Sequence, residues 1–116
     1  MLKRNFLTSD LEPMAQCHDG EGVLQHIGLY SAGDFQSALR FFNYTVLPPG
    51  TSIGSHTHGD DEEVYIMLEG CGLMTVNGQT QPVAAGDVVV NPPFGTHSLC
   101  NNSNADLKIM VFEAGK

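Results

Sequence analysis

Three histidines and one acid carry the chemistry of this chain: His56-Thr57-His58, Glu63, and a distant His97 in a Pro/Gly-rich turn. Three imidazoles and one carboxylate make a four-ligand set for a transition metal. Residues i and i+2 point to one side of a β-strand but to nearly opposite sides of a helix. His56 and His58 can therefore reach one ion only if their segment is extended. Gly50, Gly54 and Gly59 around them disfavour a helix. This donor set suits Fe(II), Mn(II), Ni(II), Co(II) or Zn(II), whereas calcium and magnesium prefer oxygen cages. An octahedral ion held by four side chains keeps two positions open for water, substrate or oxygen.

The elements that must position these groups read as short strands. Leu24 to Tyr30 and Arg40 to Leu47 are apolar, aromatic and β-branched, with a turn at Ser31 to Phe35 between them. Pro48-Pro49-Gly50 stops the second run. Val64 to Leu68 and Leu73 to Val76 follow, and Asn77-Gly78 signals a type I′ hairpin with Gln79 to Val83 returning. Pro82 marks that return as an edge or a bulge. Val88 to Asn91, His97 to Asn101 and Leu107 to Glu113 complete the set, and residues 1–20 show no clear pattern. The only helical turn expected lies near Asp34–Leu39. An all-β barrel or jelly roll in one domain over residues 1–116 is the predicted architecture.

Composition narrows the function classes. The formal net charge is −8, and the basic residues Lys3, Arg4, Arg40, Lys108 and Lys116 are scattered. No cluster could track a phosphate backbone, so nucleic acid and anionic membrane surfaces are excluded as expected partners. Cys17, Cys71 and Cys100 are odd in number and lack CxxC spacing, which points to a reducing compartment. No apolar run resembles a signal peptide or a membrane span, so a cytoplasmic location is expected.

Residues 50–70 read Gly50, five residues, His56-x-His58, four residues, Glu63, six residues, Gly70. Residues 86–101 read Gly86, five residues, Pro92, then His97, three residues, Asn101. The two stretches resemble the first and second motifs of the cupin superfamily. The resemblance implies a double-stranded β-helix barrel, metal ligands at His56, His58, Glu63 and His97, and an open ligand position facing the barrel mouth. It also favours Glu63 over Glu62, because Glu63 keeps the spacing to Gly70. Asp60, Asp61 and Glu62 then read as a solvated turn. One departure stands out: the family places Gly three residues before the second-motif His, and this chain has Phe94.

Strand parity adds weaker candidates. Tyr65 and Met67 share a face with Glu63, and Leu99 shares one with His97, while Cys100 points away. Tyr65 offers a phenol or simply core packing. Arg40 is either an anion fork in the cavity or, preferably, one half of a surface ion pair. Phe94 either caps the mouth or fills the space of the missing glycine. His18 and His26 are expected to be structural or solvent-exposed.

The first expectation is a metal-dependent enzyme acting on a small polar metabolite, of oxygenase, isomerase, decarboxylase or lyase type. The alternative is a non-catalytic module that binds or senses a small ligand through the same metal. A vestigial barrel is the third reading. No other cofactor is expected, and a homodimer is, because a thin barrel leaves apolar sheet faces uncovered.

Overall fold

The structure, a computed structural model, describes residues 1–115. Ten strands run in chain order: β1 (Glu12–Ala15), β2 (Val23–Ser31), β3 (Leu39–Leu47), β4 (Ser52–Thr57), β5 (Asp61–Glu69), β6 (Cys71–Val76), β7 (Gln79–Ala84), β8 (Val88–Asn91), β9 (Thr96–Cys100) and β10 (Leu107–Gly115). They form a six-stranded sheet ordered β1-β2-β3-β10-β5-β8 and a four-stranded sheet ordered β4-β9-β6-β7. All pairings are antiparallel. The two sheets pack face to face as a jelly roll and are not joined into one closed hydrogen-bonded ring. No helix of the described residues is long and apolar enough to cross a membrane.

Alternation along the central strands sorts the core from the surface. In β10, Leu107, Ile109 and Val111 are buried and Glu113 continues their parity. Register places three rows on this inner face: Glu63–Glu113–Phe41, then Tyr65–Val111–Asn43, then Met67–Ile109–Thr45–His26. Leu24, Leu47, Leu99 and Leu107 are fully buried below them. The rows thus run from a polar end at Glu63 to an apolar floor. The opposite parity of β3 carries Arg40, Phe42, Tyr44 and Val46 on the outer face.

Part of that outer face is covered by the N-terminal arm. Phe6 packs on Tyr44 with ring centroids 4.5 Å apart. Arg4 lies over the Tyr30 ring and pairs with Asp34 at 2.8 Å. Beyond the arm, Val88 and Val90 stand 60% and 54% exposed.

Several local readings shift. The expected helical turn near Asp34–Leu39 is a 3₁₀ turn at Ala32–Asp34 instead, because Ser31 and Asp34 close a capping box there. β1 arises in a stretch with no clear pattern; it is a short edge strand whose stability comes from pairing with β2. The Asn77-Gly78 hairpin forms as read, with φ of 49° and 80°.

Asn101 shows what the end of the second motif does. Its side chain is completely buried. Nδ2 donates to the carbonyls of Leu47 and Ala105, both at 2.8 Å, and Oδ1 accepts from Ser103. It ties the β9–β10 loop to the end of β3. Asn101→Ala is expected to destabilise the fold by about 2 kcal/mol, because buried carbonyls lose their donors. Urea denaturation with an unchanged m-value checks this.

Candidate metal centre

β4, β5 and β9 deliver the four candidate ligands. His56 lies one residue before the end of β4 and pairs with His97 of β9 across the small sheet. His58 follows β4, and Glu63 sits two residues into β5 on the other sheet. The loop after β4 is clamped to the turn before β9: His58 N–H donates to the Gly95 carbonyl and Phe94 N–H to the Gly59 carbonyl. The two sheets therefore bring their ligands to one point.

That point is Glu63 Oε1. It lies 2.9 Å from His97 Nε2, 3.4 Å from His58 Nε2 and 3.9 Å from His56 Nε2. All four ligand atoms lie within 4.8 Å of one another. Donors held about 2.1 Å from one ion at right angles stand about 3 Å apart. The spacing is close to that of a coordination sphere.

The ring tautomers support the same reading. His56 Nδ1 is placed to donate to the Gly54 carbonyl at 2.9 Å. His58 Nδ1 is placed to donate to Asp61 Oδ1 at 3.2 Å, with Glu113 Oε1 at 3.3 Å. Each ring then turns an Nε2 lone pair toward the carboxylate. His58 Nε2 is buried and has no hydrogen-bond partner. A lone pair and a carboxylate oxygen 3.4 Å apart repel unless a cation lies between them. The residues fit a divalent transition metal.

Electrostatics couple these groups. Where protons rather than a metal occupy the rings, burial pulls the Glu63 carboxyl upward, but the protonated His56, His97 and His58 rings outweigh it and hold it at about 2. Burial depresses His97. It also opposes charging of His56, where contacts with Glu63 and Gly54 win and raise the pKa. Tyr65 is buried and meets the His97 ring edge-on at 5.3 Å. Burial and the nearby Glu63 charge push its phenol well above the ordinary range, so Tyr65 remains a neutral O–H.

The centre opens into a cavity of about 350 Å³ between the sheets. One wall is the 3₁₀ turn Cys17–Asp19, which carries Cys17 and His18. The His18 ring stacks on His56 at 3.7 Å and 11°. His18 is thus a wall of the cavity, although the sequence marks it only as structural or exposed. Gln16, His18 and Asp19 all adopt left-handed backbone, with φ of 50°, 49° and 61°. Gly54 makes this docking feasible, since a Cβ there would collide with the His18 carbonyl oxygen. Gly20 packs in the same way against Ser52. Nothing in a non-glycine triplet signals left-handed backbone, so the sequence offered no cue to His18.

Other expectations change. Arg40 instead keeps its preferred reading as a surface ion-pair partner: it lies outside the cavity, because β3 turns Phe41, Asn43 and Thr45 inward and Arg40 outward. Its guanidinium pairs with Asp61 at 3.0 Å. Asp61 belongs to β5 rather than to a solvated turn, and it links Arg40 to His58. Phe94 neither caps nor lines the mouth: its side chain is 69% exposed. Its backbone φ of 60° nonetheless takes the left-handed conformation that glycine favours, so the turn keeps its path. Glu113 was missed as a cavity residue; an acid continuing the apolar parity of Leu107, Ile109 and Val111 was its signal.

A family model described as "Cupin domain" matches residues 43–113, a span that holds all four candidate ligands. The chain belongs to the cupin family. A protein of Thermotoga maritima named "Oxalate-binding protein" is 33% identical over 100 residues, covering 86% of this chain and 83% of the relative. A crystal structure from T. maritima, described as a predicted oxalate decarboxylase, superposes with a TM-score of 0.94 at 30% identity and full coverage of both chains. The cupin domain of Schizosaccharomyces pombe Cnp3 shares the fold, with a TM-score of 0.81 at 15% identity over 99% of this cupin and 74% of that chain.

Asp61 orients His58 without being a ligand. Asp61→Ala is expected to weaken metal binding about tenfold, with Glu113 left as the remaining acceptor for the ring. Competition with a chromogenic chelator measures the change.

Proposed function

We propose that this cupin binds one divalent transition metal through His56, His58, Glu63 and His97, and through it a small chelating carboxylate of the oxalate type. One observation carries the reading: the buried, unpartnered His58 Nε2 faces Glu63 Oε1 at the side of a sizeable cavity. The name of the T. maritima relative supports the ligand class. When bound, the metal supplies a Lewis-acid centre with open positions for chelation.

The chain's own residues do the rest. Asp61 and Gly54 fix the ring orientations of His58 and His56. His18 walls one side of the centre, and Tyr65 presents its neutral O–H to the interior. The apolar residues behind them restrict bulk water. A purely binding role needs nothing more. Turnover of the ligand is the second reading, favoured by Tyr65, Asn43 and Glu113 lining the same cavity.

Purified under reducing, oxygen-free conditions, the protein is expected to carry about one metal ion per chain by mass spectrometry of the elements. Calorimetry on Mn(II)-loaded protein should show saturable oxalate binding that His56→Ala abolishes. Absence of metal, or oxalate binding that survives His56→Ala, would sink the proposal. Release of carbon dioxide from bound oxalate decides for turnover, and its absence for binding alone.

We also propose a homodimer through the bare part of the outer sheet. Register places Val90–Val64–Phe112–Phe42 and Val88–Ile66–Met110 in two lateral rows, the second ending where the arm covers Tyr44. A second copy related by a two-fold axis offers the same uncharged rows in return. Sedimentation at micromolar concentration is expected to show a dimer, and Ile66→Asp with Val88→Lys a folded monomer. A wild-type monomer removes this proposal.

A further inference from the structure

We propose that the ligand held at this centre carries an apolar side chain, and that its class is the 2-oxo carboxylates with an aliphatic or aromatic tail. The inference rests on the metal-dependent carboxylate reading above and narrows it. The first observation is size. The cavity of about 350 Å³ holds the volume of about a dozen waters. A bare two-carbon dicarboxylate chelated at the metal leaves more than about half of it unfilled.

The second observation is where that space lies and what surrounds it. The inner-face rows step from Glu63–Glu113–Phe41 through Tyr65–Val111–Asn43 to Thr45–His26. Four residues along a strand span about 13 Å, so the cavity runs well past the metal. Its far walls are Met14, Leu24, Ile53 and Val111, while Phe41 flanks the Glu63–Glu113 row. The one polar pair at that end, His26 Nδ1 and Thr45 Oγ1, is hydrogen-bonded to itself at 2.9 Å.

The third observation is charge. Among the described residues lining the cavity there is no Lys or Arg, and Arg40 is turned outward. A second carboxylate reaching past the metal would meet no Lys or Arg and only Asn43, Thr45 and His26 as polar neighbours among apolar side chains, with Glu63 and Glu113 nearby. Burying such a charge is strongly unfavourable. A single chelating head fits the metal, because carboxylate and adjacent oxo oxygen take two neighbouring positions. An uncharged tail fits the remainder.

Calorimetry on Mn(II)-loaded protein tests this with oxalate, pyruvate, 2-oxobutanoate, 2-oxopentanoate, 4-methyl-2-oxopentanoate and 2-oxoglutarate. Affinity is expected to rise about fourfold for each added methylene along the uncharged series. 2-Oxoglutarate should bind more weakly than 2-oxopentanoate, which has the same chain length. Val111→Phe, which fills the cavity, should flatten the series; Met14→Phe on the edge strand serves if Val111→Phe does not fold. Affinity that stays level or falls with chain length, or a preference for 2-oxoglutarate, overturns the inference while oxalate binding leaves the broader reading intact. Failure of every acid to bind, oxalate included, removes both.

Discussion

A carboxylate oxygen surrounded by three imidazole nitrogens, in a space largely closed to water, is the constraint on which the rest of this cupin depends. Glu63 Oε1 stands within 3.9 Å of the Nε2 atoms of His56, His58 and His97. Two of those rings use Nδ1 for other contacts, so their Nε2 lone pairs point at an anion. Such a cluster is held together by a shared cation or by protons, and it favours whichever the surroundings supply. The packing around it sets the ring orientations from behind, so the cluster has the form of a metal site.

That support comes from parts of the chain far apart in sequence. Asp61 connects His58 to Arg40 on the surface, so a group that looked like an anion fork acts through its ion pair. The Cys17–Asp19 turn braces His56 from the mouth side through ring stacking. Its left-handed backbone is held because Gly54 and Gly20 let two backbones meet. Strain of this kind persists only where the surroundings over-determine it. Here the surroundings are β4, the strand that bears His56.

The two sheets divide the work. Each contributes ligands, and neither could assemble the centre alone. The six-stranded sheet also grades its inner face, from acids beside the histidine cluster to leucines at the floor. The cavity therefore offers charge at one end and apolar surface at the other. Its outer face is graded too, with the N-terminal arm over Tyr44 and bare valines toward β8.

The strands and the shared face of His56 and His58 were legible in the sequence because both are local patterns. Alternation, the Asn77-Gly78 turn and the His56-x-His58 spacing depend on residues a few positions apart, and period-two geometry converts them directly into faces. β1 and the 3₁₀ turn at Ala32–Asp34 were less legible, since an edge pairing and a capping contact decided them. The roles of Asp61, His18 and Glu113 were hidden for a deeper reason. Each is defined by a neighbour at least on another strand or across a loop, and Asp61 reads as solvated until Arg40 and His58 stand beside it. Arg40 shows the reverse: its type allowed two roles, and the inward turn of Phe41, Asn43 and Thr45 chose between them. The sequence by itself determined the donor atoms and the strands that bear them. Only the tertiary structure decided the size and polarity of the space beside those donors, because a cavity is made of side chains whose common wall exists only after the sheets pack.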